Sequence, residues 1–135
     1  MLKTICYKSQ AKTTLNILEF EAILNETQSK NDNNNITGVL VKKDKIFFQI
    51  IEGTETVIDK LYQKIQEDTR HSNIIEILNA PISQLSFEAF DAGYTVIENI
   101  EALYGLQKYI TALDQTNFEN GDLFLEIIEE LLSSD

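Results

Sequence analysis

The chain has 135 residues, 43% hydrophobic and 24% charged, with one cysteine, one histidine, no tryptophan and a formal net charge of −11. That length is one domain's worth, large enough for a real core, and the composition is that of an ordinary soluble globular protein. The acidic balance argues against direct nucleic-acid binding, a lone Cys and His argue against a Cys/His metal site, and no apolar run is long enough to cross a bilayer.

Residues 2–8 read as a strand that contains Ile5-Cys6-Tyr7. Met1-Leu2-Lys3 leads straight into it, so no signal peptide is expected. Cys6 excludes an internal disulfide and fits a reducing cytosol, hence an expected cytoplasmic location. Residues 15–30 repeat apolar groups at helical spacing, Phe20, Ile23 and Leu24, with Thr27 and Asn31 continuing the stripe. The run from Asn31 to Asn35 is a turn, followed by the strand Ile36-Thr37-Gly38-Val39-Leu40-Val41. Lys42-Lys43-Asp44-Lys45 is a charged hairpin connection.

The next run, Ile46-Phe47-Phe48-Gln49-Ile50-Ile51, closed by Glu52-Gly53, predicts a strand buried on both faces. From Thr54 to Asp68, the groups Val57, Ile58, Leu61 and Ile65 mark a second helix. Asn73 to Leu78 is a strand that stops before Asn79-Ala80-Pro81, and Phe87 to Val96 is another. The order β-α-β-β-α-β-β predicts an α+β sheet with both helices on one face. Beyond Val96, Ile100, Leu103, Tyr104 and Leu106 suit one amphipathic helix. Residues 114–122 form a polar connection, and Leu123, Phe124, Ile127, Ile128, Leu131 and Leu132 mark a last helix. A unit of residues 1–96 followed by a two-helix extension, 97–135, is therefore expected.

Gln49 is the anomaly. Alternation puts it on one face with Phe47 and Ile51, where a carboxamide must find partners or cost a few kcal/mol. Tyr7, in another short strand, is a polar group able to meet it. Two arrangements satisfy the pair: Gln49 caps a loop carbonyl beside an ordinary aromatic, or both surround a bound heterocycle. Asn31 and Asp68 turn two core-facing helices polar at one end, which suits a cleft for a polar ligand. Lys64 and Arg70 bracket the end of the second helix and suit an anionic tail. Equally, Asn31 suits a helix C-cap, and Asp68 with Lys64 a surface pair.

Taken together, Tyr7, the Asn31…Ile36-Thr37-Gly38 segment, Phe47-Phe48-Gln49-Ile50-Ile51-Glu52-Gly53 and Asp68-Thr69-Arg70-His71 resemble the BLUF family of blue-light sensors using FAD. The resemblance runs from about residue 2 to about residue 96. It implies a ferredoxin-like mixed sheet with two helices on one face holding the flavin. It further implies that Asn31 hydrogen-bonds the carbonyl edge of the ring and that Gln49 lies between Tyr7 and the ring. Arg70 and His71 lie against the pyrimidine side, Asp68 and Lys64 help hold the ring and its chain, and Ile23 and Leu24 wall the dimethylbenzene ring. Lys64 stands where relatives often carry arginine, so a point charge replaces a bidentate fork. Phe90 and Ala92 stand where relatives usually carry a Trp and a Met on the fifth strand. These changes remove a competing electron donor and a thioether neighbour of Gln49.

The function implied is a photoreceptor, not an enzyme: FAD held non-covalently, an electron and proton leaving Tyr7, and a rearranged Gln49 that red-shifts the flavin. Output then passes to a partner protein or through self-association, since no effector domain is expected. In short members of the family the last helices support oligomers. Two other readings remain. A flavin-free interaction module of the same fold predicts a colourless protein. A flavin-dependent oxidoreductase lacks a nicotinamide-binding glycine loop. The residues do not separate FAD from FMN; the family favours FAD.

Overall fold

Seven consecutive residues, Phe47 to Gly53, are buried in β3 (Ile46–Thr54), and only its two ends are exposed. A strand apolar on both sides must be covered on both sides, and β3 accordingly takes the centre of a five-stranded sheet. The structure, a computed structural model of the chain, describes residues 1–11, 36–67, 71–88, 90, 94–114 and 120–133. The other strands are β1 (Leu2–Ala11), β2 (Thr37–Lys43), β4 (His71–Ile82) and β5 (Tyr94–Ile97), in the order β4-β1-β3-β2-β5. β1 pairs antiparallel with both β3 and β4, and β2 pairs antiparallel with β3. This is the expected α+β class with ferredoxin-like strand order. The chain forms two compact units, Met1–Val96 and Ile97–Asp135.

Helix α1 (Glu55–Glu67) buries Val57, Ile58, Leu61, Tyr62 and Ile65, a stripe at three- and four-residue spacing. These side chains share one core cluster with Ile5, Tyr7, Leu40, Phe47 and Ile51, so the helix covers the face that carries Tyr7. At about 2 kcal/mol for each large apolar side chain, packing rather than helix propensity holds α1 in place. In the second unit, α2 (Ile100–Asp114) is capped by Asn99, whose Oδ1 accepts from the Ala102 amide at 2.8 Å. Its Leu103, Leu106 and Ile110 are buried, as are Phe124, Ile127, Ile128 and Leu131 of α3 (Gly121–Ser133). Among the described residues, no helix is long and apolar enough to cross a membrane.

Several boundaries differ from the sequence reading. β4 runs through Pro81 to Ile82 rather than stopping at Leu78. It lies at the end of the strand order, where a residue without an N–H is tolerated. Lys42 and Lys43 belong to β2, leaving Asp44-Lys45 as the turn, with Asp44 in the left-handed region at φ 55°. The fifth strand begins at Tyr94, not Phe87: the Phe87 carbonyl accepts from the Phe90 amide at 3.1 Å, a turn in place of a ladder. Asp114 ends α2 and Asp122 lies in the first turn of α3 instead of joining the connection. Tyr104, expected on the apolar stripe of α2, is 55% exposed. The first predicted helix and the asparagine-rich turn lie outside the described residues.

Gly38 fixes the approach of β2 to β3. It adopts φ 146°, and a Cβ there would stand 2.0 Å from the Ile50 carbonyl oxygen. Only glycine fits at this position.

Candidate functional site

Tyr7 and Gln49 are direct register partners across β1 and β3, so the pleat points both side chains to the same face. Both are 0% exposed. The Tyr7 hydroxyl donates to Oε1 of Gln49, a phenol-to-amide contact inside the core shared with α1. Gln49 is thus the polar break in the apolar wall, and Tyr7 is one of its partners.

Tyr62 of α1 completes this corner. Its ring lies 5.7 Å from that of Tyr7, tilted by 40°. The Tyr62 hydroxyl is buried without a hydrogen-bond partner among the described residues. Burial, and then the charge of Glu76 on β4, push its pKa up to about 12. The sequence reading passed over Tyr62, although the spacing Ile58-Leu61-Tyr62-Ile65 places it on the buried stripe.

On the opposite face of the sheet, Glu52 is 1% exposed. Its Oε1 accepts from Thr37 Oγ1 at 2.8 Å, from the Ser86 amide at 2.7 Å and from the Phe87 amide at 2.6 Å. Burial pushes its pKa up, and the three donors oppose that rise. Sequence reasoning saw Glu52 as the close of a strand and as part of the family-like motif, with no role of its own; a charged residue at the next buried position after Ile51 was the available signal. Cys6 is a buried thiol whose pKa burial also pushes up, which suits an inert core residue.

The other candidates are placed as follows. Lys64 is exposed in the last turn of α1, with no ion pair among the described residues. His71 opens β4 opposite Ala11 of β1; its backbone is described and its side chain is not. Ile23, Leu24, Asn31, Asp68 and Arg70 lie outside the described residues, as does Ala92. Phe90 is half-buried in the turn before β5.

The donor set that is described fits a flavin edge. Because the Tyr7 phenol occupies Oε1, the Nε2 side of the Gln49 amide, with its two N–H donors, lies on the other side of the group. A flavin presents acceptors at N5 and at its C4 carbonyl, complementary to such donors.

Comparisons with known proteins agree in direction. A family model described as "BLUF: Sensors of blue-light using FAD" matches residues 2–93. Among curated proteins, a photoactivated adenylate cyclase subunit beta from Euglena longa is 33% identical over 88 residues, 65% of this chain and 10% of its own. The blue light- and temperature-regulated antirepressor BluF of Escherichia coli is 32% identical over 78 residues, 58% of this chain and 19% of its own. The chain therefore spans only about a tenth to a fifth of the length of these relatives. Among solved structures, BlsA in its photo-activated state matches at TM-score 0.64 and 27% identity, over 100% of this chain and 97% of that one. Klebsiella pneumoniae BlrP1, solved with FMN and cyclic diGMP, matches at TM-score 0.69 and 26% identity, over 96% of this chain and 35% of that one. With most of its residues matched by the family model and its fold shared with these structures, the chain belongs to the BLUF family of blue-light sensors using FAD.

Proposed function

We propose that the chain is a photoreceptor in which Tyr7 and Gln49 are the switching pair and FAD, rather than FMN, is the chromophore. The observation that carries this reading is the buried hydrogen bond from the Tyr7 phenol to Gln49 Oε1. Asn31, Lys64, Asp68, Arg70 and His71 are assigned to the polar edge and chain of the flavin, and Ile23 and Leu24 to its apolar wall.

When bound, oxidised flavin supplies an excited state that takes one electron from a neighbour and returns it. Tyr7 is the donor. A phenol that has lost an electron is strongly acidic, so its proton moves to Oε1 of Gln49, the atom it already contacts. Gln49 would pass a proton from Nε2, on its far side, to a bound flavin, which becomes basic on taking the electron and would give both back. Return of the electron and a proton restores the Tyr7 phenol and leaves Gln49 in a changed rotamer or tautomer. Tyr62 holds the Tyr7 ring from the helix side and keeps its own proton, because burial and the neighbouring Glu76 hold its pKa up. Burial of both partners excludes water that would short-circuit the relay.

No substrate is turned over. The stored signal is a rearranged hydrogen-bond network worth ~1–3 kcal/mol, enough to bias a two-state element but not to drive it to completion. The receiver is a partner protein, with self-association through the two C-terminal helices as the supporting assembly. The cytoplasm is the compartment that suits the lone thiol.

The test is reconstitution with FAD and with FMN, followed by spectra of Tyr7→Phe and Gln49→Leu. Both variants are expected to bind flavin and to show no light-induced shift. A normal shift in either removes that residue from the relay, and tighter binding of FMN overturns the choice of FAD.

A further inference from the structure

Three donors from two different parts of the chain converge on one oxygen of Glu52: the Thr37 hydroxyl of β2 and the Ser86 and Phe87 amides. The last two belong to the segment that leads toward β5. All three distances lie between 2.6 and 2.8 Å, and the residue is 1% exposed. Glu52 therefore ties β2, β3 and the approach to β5 into one junction. It lies three positions from Gln49 on the same strand, with its side chain on the opposite face.

Paired strands on both sides hold β3 in register, so a displacement at one of its residues would be carried along the strand. A small displacement is felt where hydrogen bonds are shortest and most directional. Apart from the Tyr7–Gln49 pair itself, most side chains of β3 are apolar, and their contacts change little over such distances. At Glu52 the same displacement acts on two backbone N–H groups that have left the ladder, since Phe87 precedes a turn closed by the Phe90 amide. Among the described residues, those amides are held by the Glu52 carboxyl rather than by a ladder.

We infer that Glu52 is the positioning residue through which the state of Gln49 reaches the segment before β5, loosening the Ser86 and Phe87 amides in the light. This rests on the photoreceptor reading above. The carboxyl neither touches the flavin nor joins the electron and proton steps; it converts a change on one face of the sheet into altered order on the other.

The experiment is amide hydrogen exchange on the full chain saturated with FAD, in darkness and under continuous blue light, with the visible spectrum recorded on the same samples. The expected result is roughly tenfold faster exchange at Ser86 and Phe87 in the light, the effect of weakening one buried hydrogen bond. The Ala102 amide, held by Asn99, is the internal reference and should not change. In Glu52→Ala, which should keep the red shift, exchange at both amides is expected to be fast in darkness and indifferent to light. A red shift in the unaltered chain with unchanged exchange at Ser86 and Phe87 overturns the inference and leaves the photoreceptor reading intact. So does a light response that persists in Glu52→Ala, or one that Ala102 shares. Absence of any red shift overturns the photoreceptor reading itself, and the inference with it.

Discussion

Replacing Tyr7 with Phe deletes one hydroxyl and keeps the ring that packs 5.7 Å from Tyr62. Because donor and acceptor are both 0% exposed, Gln49 Oε1 loses a partner that water cannot replace. The expected cost is about 1–2 kcal/mol, the usual loss for one buried neutral hydrogen bond with its acceptor left behind. The informative step is the second one. In a Gln49→Leu background the phenol has already lost this acceptor, so removing it should be neutral or slightly stabilising. The double-mutant cycle therefore predicts a coupling of about 1–2 kcal/mol between two residues 42 apart in the chain. Urea unfolding followed by far-ultraviolet circular dichroism, on the four variants with m-values compared, measures it. Additivity to within about 0.3–0.5 kcal/mol would refute the claim that these two side chains depend on each other.

Gly38→Ala should destabilise the chain by about 3 kcal/mol or more, since a Cβ would meet the Ile50 carbonyl at 2.0 Å with a strained φ; an unchanged urea midpoint contradicts the close approach. Tyr62→Phe removes a buried hydroxyl without a partner and should be neutral or stabilising by up to about 1 kcal/mol. Because burial raises the Tyr62 pKa from 10 to about 12, its contribution is complete below pH 10 and lost as pH rises through about 12. Tyr62→Phe should remove that alkaline loss. Burial likewise raises the pKa of Glu52 above 4.5, so its contribution is complete below that value and declines as pH climbs through the raised pKa. Unfolding midpoints across pH should thus fall relative to Glu52→Gln above about pH 4.5, and parallel curves for the two proteins contradict the raised pKa.

Where the local pattern and the tertiary role coincide, the fold was legible in the residues. β3 is the clearest case, because a central strand needs an unbroken apolar run and has one. The same run exposed Gln49, since a carboxamide inside it demands a partner. Register was less visible: nothing local says that Tyr7 lies opposite Gln49, and only the pairing of β1 with β3 does so. Glu52 was missed for a related reason. Its donors are a hydroxyl and two amides separated from it by 15, 34 and 35 positions, so no short motif records them. β4 outran its prediction because Asn79-Ala80-Pro81 reads as a breaker only for a strand paired on both sides. Strand five began late because the Ser86 and Phe87 amides are held by a side chain instead of a ladder. Tyr104 shows the limit of periodicity, which marks a stripe but not how much of it is covered.

The most direct measurement is the visible spectrum of the FAD-saturated chain, first dark-adapted and then under blue light. A structured oxidised-flavin band that shifts slightly to the red and returns in darkness is the predicted result. A flavin band that stays fixed, or no flavin uptake at all, contradicts the central claim that Tyr7 and Gln49 form a light-operated switch.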